Sequence, residues 1–155
     1  MITRLTTVLV ATAVCGCFAS APADAEQSKF GGFVSNSCTL STINDGILVP
    51  NVPGRVLDSS VPGGRPSRVK ALTTSRGFKV RTFAPTVFTL GNSANTTFAS
   101  LYSISGSTSA TNIPGTTPSN LNPGSNVIAV NLQAVRTAGV FPRGNYEAVV
   151  IVRCE

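Results

Sequence analysis

Short runs in which apolar and polar residues alternate follow one another along the chain from about residue 30. Arg68 and Lys70 flank Val69, and Lys79 and Arg81 flank Val80. Because successive side chains of a strand point to opposite faces, this alternation predicts strands with one buried face. No run predicts a convincing helix. The predicted strands are 30–34, 38–43, 46–50, 56–59, 68–73, 77–83, 86–90, 98–104, 127–135 and 146–154.

Turn-forming residues separate nearly all of these runs, as in Asn44-Asp45-Gly46, Pro62-Gly63-Gly64 and Arg143-Gly144-Asn145. Many short strands at such spacing predict an all-β sandwich or barrel. Segment 105–126 is rich in Ser, Thr, Gly, Pro and Asn, so we expect a long exposed connection there, either polar filler or a functional loop.

The first 25 residues are typical of a secretory signal peptide. Arg4 precedes an apolar run of about ten residues, and Ala23-Asp24-Ala25 offers small residues at a cleavage site. We therefore expect a mature single domain over 26–155, located outside the cytoplasm as a secreted, periplasmic or cell-surface protein. Lipoprotein processing at Cys17 is the alternative. No later apolar run is long enough to predict a transmembrane span.

Cleavage at this site leaves two cysteines, Cys38 and Cys154. An even number of cysteines in an oxidising compartment predicts a disulfide between them. Metal binding by two thiolates is the weaker alternative.

The composition excludes most catalytic designs. The chain has no His, which removes His-based acid–base catalysis, His-activated nucleophiles and most catalytic zinc sites. The acidic residues of the mature chain stand singly, so no paired-carboxylate or calcium-binding pattern appears. We expect no catalytic residue, no metal site and no cofactor.

Positive charge is concentrated between Arg55 and Arg81, in a chain of 12 basic and 6 acidic residues. If 68–73 and 77–83 pair as a hairpin, then Arg68, Lys70, Lys79 and Arg81 share one exposed face. Such a face would attract acidic polysaccharide or lipid phosphates. The alternative is that these side chains solubilise the sheet and protect an edge strand. Nucleic acid is not expected, because no Tyr or Trp is interleaved for base stacking.

Several motifs together resemble secreted spore coat protein U-type and chaperone–usher pilin domains. The motifs are Ser37-Cys38-Thr39-Leu40-Ser41, Asn44-Asp45-Gly46-Ile47-Leu48-Val49-Pro50-Asn51, Val56-Leu57-Asp58-Ser59-Ser60, Gly63-Gly64 and Gly144-Asn145-Tyr146-Glu147-Ala148-Val149-Val150-Ile151-Val152. The resemblance implies an immunoglobulin-like antiparallel β-sandwich that lacks its last strand. It also implies that a periplasmic chaperone, and then the N-terminal segment of a like subunit, supplies that strand.

Phe30, Phe33 and Val34 are the strand-donation candidates on this reading, and an ordinary first strand is the alternative. The sequence departs from the family pattern in its cysteines, since the strand at 67–73 has Leu72 near the place of the usual second Cys. Two function hypotheses follow. One is a non-catalytic structural subunit, pilin-like or coat-like. The other is a monomeric secreted binding module for acidic glycans or lipid phosphates.

Overall fold

The computed structural model describes residues 29–51 and 53–155, and it contains only strands, turns and loops there. The strands are β1 (Cys38–Asn44), β2 (Val49–Pro50), β3 (Val56–Asp58), β4 (Ser67–Thr73), β5 (Lys79–Phe83), β6 (Thr96–Gly106), β7 (Ala110–Pro114), β8 (Ser119–Asn120), β9 (Gly124–Arg136) and β10 (Ile151–Cys154). The predicted signal peptide and the alternative processing site at Cys17 lie outside the described residues. No helix of the described part is long and apolar enough to cross a membrane.

The strands form two antiparallel sheets, which confirms the predicted all-β sandwich class. The long strand β9 organises the larger sheet. One of its edges pairs with β6 from Asn126 to Arg136, and the other pairs first with β4 and then with β3. Three further strands extend this sheet at its edges. Strand β1 pairs with β4, β2 pairs with β3, and β7 pairs with β6. The smaller sheet has the order β10-β5-β8.

Alternation along β9 creates the core. Every second side chain from Asn126 to Arg136 is buried, and Ile128, Val130 and Leu132 pack into the space between the sheets. A second cluster at one end is aromatic, with Phe88 edge-on to its neighbours Phe98, Phe141 and Tyr146.

Tyr102 ties the two sheets together from strand β6. Its ring is buried, and its hydroxyl oxygen lies within hydrogen-bond distance of the carbonyl oxygens of Val80 (3.1 Å) and Thr117 (2.7 Å) and of Ser119 Oγ (2.7 Å), which share its single proton. Burial raises the pKa of Tyr102 above its ordinary value, although the Ser119 contact acts in the opposite direction. The phenol therefore stays neutral at physiological pH and serves as a structural hydrogen-bond donor.

The expectation of a long exposed connection over 105–126 is wrong. The segment forms β7 and β8 together with the ends of β6 and β9, and Leu121 is almost completely buried. Its polar residues are held by hydrogen bonds. Buried Asn126 accepts from the Thr108 amide (2.7 Å) and donates to the Asn122 carbonyl (3.1 Å). Polar side chains in this segment form hydrogen bonds with backbone N–H and C=O groups. The segment was not recognised as strands because it has few of the bulky apolar residues that usually indicate one.

Candidate functional site

A groove separates strand β1 of the larger sheet from the final segment 145–154, which ends in β10 of the smaller sheet. Within the described residues, β1 is paired only with β4, and β10 only with β5. Each strand therefore presents a free edge of N–H and C=O groups. The Cys38–Cys154 disulfide joins the two strands at one end, with the Cα atoms 6.4 Å apart, as the sequence predicted.

The floor of the groove is the hydrophobic core itself. Leu57, Val69, Val130 and Leu132 line it and keep 4–9% of their surface exposed. The cavity measures about 970 Å³, which lies near the upper end of the range for ligand pockets. Core side chains are thus reachable from outside through a gap between two strands.

Residues 145–150 and Val152 of the final segment form one wall of the groove. Tyr146, Ala148, Val150 and Val152 are half-buried and line the groove. Ile151, between the last two, is 54% exposed and faces the other way. Only 151–154 pairs as a strand, and Glu147 makes an isolated bridge to Leu90, so the predicted strand 146–154 is regular only in its last part.

The end of the groove farther along β1 from the disulfide is polar and open. Asp45, Arg143, Asn145 and Glu147 line it. Gly46 brings the chain close to the start of β4 here, because a Cβ at this position would lie 3.1 Å from both the Arg65 carbonyl oxygen and the Ser67 amide. The isolated bridge between Ile47 and Arg65 holds this approach in place.

Asp58 fixes the turn beside the groove. One carboxylate oxygen accepts from the amide and the hydroxyl of Ser60, both at 2.7 Å, and the other accepts from Gln133 Nε2 at 2.8 Å. Burial disfavours the charged carboxylate, but these hydrogen bonds outweigh it, so the pKa of Asp58 lies below its ordinary value. The next residue, Ser59, lines the groove and donates from its hydroxyl to Asn131 Oδ1 (3.0 Å).

The groove combines apolar side chains with free strand edges. That combination suits an extended apolar peptide, which pairs through its backbone and inserts every second side chain. No group of three or more His, Cys, Asp or Glu able to hold a metal occurs among the residues that the structure describes.

The side chains of the three strand-donation candidates are largely exposed to solvent. Phe30 and Phe33 are each 92% exposed and Val34 is 76% exposed. The alternative of an ordinary first strand at 30–34 is wrong, since residues 29–37 are in no strand and β1 begins at Cys38. Gly31 and Gly32 weaken this stretch as a strand, because glycine contributes no packing and loses the most backbone entropy.

The basic residues do not share one face. Strand β4 pairs with β1 and β9, whereas β5 pairs with β10 and β8, so the predicted hairpin of 68–73 with 77–83 is wrong. The chain crosses from one sheet to the other at 74–78. Arg68 and Lys70 are exposed on the larger sheet, and Lys79 and Arg81 lie on the smaller one.

Sequence reasoning missed two elements of these surfaces. Arg153 was not a candidate, although its alternation with Val152 and Cys154 placed it on the outer face of a predicted strand. The groove floor was also missed, because a strand pattern marks buried side chains without showing which of them border a gap.

No protein-family model, curated protein or solved structure matches the chain. The resemblance to spore coat protein U and pilin domains therefore stays a prediction from the sequence motifs.

Proposed function

We propose that this chain is a non-catalytic structural subunit of an extracytoplasmic assembly, pilin-like or coat-like, and that its groove accepts a strand from a neighbouring copy. One observation carries the proposal. The core is open along a gap flanked by two strand edges, β1 and β10, that pair with no other strand among residues 29–51 and 53–155. A strand placed there would pair with a free strand edge and cover the four floor residues.

Segment 30–34 has the features of such a strand. In an extended conformation Phe30 and Val34 fall on one face with Gly32 between them, about 13 Å apart at about 3.3 Å per residue. Two apolar anchors at that spacing could fill separate parts of a groove lined by Val69, Val130 and Ala148. Both anchors are exposed in the single chain, so a docking surface for them would stabilise the assembly.

The position of this segment makes the contact self-propagating. Three residues separate it from the start of β1, so a copy that gives its segment to a neighbour still offers its own groove to a third copy. Such a heterologous contact generates an open chain unless it closes into a ring. An assembly chaperone that fills the groove first would keep single subunits from aggregating.

The disulfide supports a location outside the cytoplasm, because such bonds persist in oxidising compartments. The predicted signal peptide agrees with that location.

The test uses the mature full chain with two apolar positions of the segment made acidic, Phe30→Asp with Val34→Asp. The matched control introduces the same two negative charges outside the segment, as Val87→Asp with Val140→Asp. These two valines are 57% and 52% exposed. Size-exclusion chromatography with light scattering, run over a range of concentrations, should show oligomers for the wild type and the control and monomers for the segment variant. A wild-type chain that stays monomeric at every concentration, or oligomers unaffected by the segment variant, would overturn the proposal.

A further inference from the structure

The outer face of the smaller sheet carries a second surface, separate from the groove. Strands β5 and β10 pair so that Arg81 lies opposite Arg153 and Phe83 opposite Ile151. Directly opposite residues of an antiparallel pair point to the same face. Lys79 shares this face, because it alternates with buried Val80 on β5.

Both arginines stack on one aromatic ring. The guanidinium carbons of Arg81 and Arg153 lie 5.0 Å and 5.1 Å from the centre of the Phe83 ring. Stacking of this kind restrains the flexible arginine side chains while their N–H groups remain available to an anion. We call Lys79, Arg81, Phe83 and Arg153 the arginine–phenylalanine cluster.

Negative charge compensates only part of this cluster. Glu155 forms a two-point ion pair with Arg81, with its oxygens 2.7 Å from Nε and 3.0 Å from Nη2. Within the described part of the chain, neither Lys79 nor Arg153 has a carboxylate within 4 Å. Like charges directly opposite in a sheet repel each other. The face therefore holds restrained positive charge that a further anion would stabilise.

We propose that the arginine–phenylalanine cluster binds the carboxylates of an acidic polysaccharide built from uronic acids. The cations lie in neighbouring positions on a sheet face, and the partly apolar surface of Phe83 and Ile151 beside them suits the C–H faces of sugar rings. Arginine pairs with carboxylates through two parallel hydrogen bonds, as Glu155 already does on Arg81. An anionic membrane is a poorer fit, because clusters that recognise it usually have four to eight basic residues.

The test measures binding of the mature full chain to oligogalacturonate by isothermal titration calorimetry at low ionic strength, with neutral dextran as the negative control. Charge reversal in the cluster, Lys79→Glu with Arg153→Glu, should weaken binding by about tenfold or more. The matched control, Arg68→Glu with Lys70→Glu, removes the same charge from the exposed face of the other sheet. It should weaken binding by less than about threefold.

Two single variants test the geometry. Glu155→Gln should tighten binding severalfold, because it frees Arg81 from its internal carboxylate. Phe83→Leu keeps an apolar side chain and every charge but removes the ring, and it should weaken binding at an unchanged melting temperature. These results are independent of the groove, so they distinguish this proposal from strand donation.

Equal losses in the two charge-reversal variants would overturn the proposal, because general attraction would then explain binding. Binding to phosphatidylglycerol vesicles without binding to oligogalacturonate would also overturn it, in favour of a membrane surface. A chain that binds neither oligogalacturonate nor the vesicles would overturn it as well.

Discussion

Cys38 and Cys154 are 116 residues apart in the chain, yet their disulfide joins the first strand of the larger sheet to the last strand of the smaller one. The same two strands border the groove. The bridge therefore sets the separation of β1 and β10 at one end, while the polar end near Asp45 and Asn145 stays open.

Replacing both cysteines, Cys38→Ser with Cys154→Ser, should lower the free energy of unfolding by about 4–5 kcal/mol, because the loop they close is longer than 100 residues. Denaturant unfolding monitored by circular dichroism measures the difference. A reducing agent should destabilise the wild type and leave the double variant unchanged. A loss below about 1 kcal/mol would show that the bridge contributes little to holding the sheets together.

Filling the groove should block assembly. Ala148→Phe places a large side chain in the groove wall, so we expect monomers by light scattering. Ile151→Phe is the control, because Ile151 lies three residues further on and its side chain faces away from the groove. It should assemble like the wild type. Similar behaviour of the two variants at matched melting temperatures would argue against the groove as the docking site.

The Asp58 carboxylate should make stability depend on acidic pH. Its pKa is lower in the folded chain than the ordinary value of 3.8, so its contribution is complete above that value and disappears as pH falls through the folded pKa. Asp58→Asn should cost about 1–3 kcal/mol at neutral pH. The difference between wild type and variant, measured by urea unfolding, should shrink below pH 3.8. A difference that stays constant into that acidic range would contradict this role.

Gly115 should not tolerate a side chain. Its amide donates to the Ser100 carbonyl and its carbonyl accepts from the Thr82 amide, both at 2.8 Å. A Cβ would collide with the hydroxyls of Ser100 and Thr82, so Gly115→Ala should cost about 1–3 kcal/mol. Gly144→Ala is the control, since no atom lies within 4 Å of the added methyl group. Thermal unfolding of the two variants should separate them clearly, and equal melting temperatures would refute the packing argument.

The sequence was most informative where alternation is strict. Strands β4 and β5 have their predicted buried faces, and the bridge between Cys38 and Cys154 formed as expected. Pairing was not predictable in the same way, because period two identifies the buried face of a strand without identifying its neighbour. The prediction that the four basic residues share one face failed for this reason. Arg68 and Lys70 lie in a different sheet from Lys79 and Arg81.

The sequence pattern also failed to predict the strands that consist mainly of polar residues. Strands β7 and β8 contain few bulky apolar residues, and their segment is held by side-chain to backbone bonds such as Asn126 to Thr108. Leu121 and Ile113 were the signals that this stretch packs against a core. The groove depends on the distance between β1 and β10, which no local pattern encodes.

In the proposed assembly, segment 30–34 of one copy lies in the groove of another. A photo-crosslinking phenylalanine analogue at position 30, one of the two groove-facing anchors, in a mixture of isotopically light and heavy full chains tests it most directly. We expect crosslinks that join light to heavy chains and map to groove residues such as Val69, Ala148 and Val150. Crosslinks confined to single chains, or joining copies at surfaces away from the groove, would contradict it.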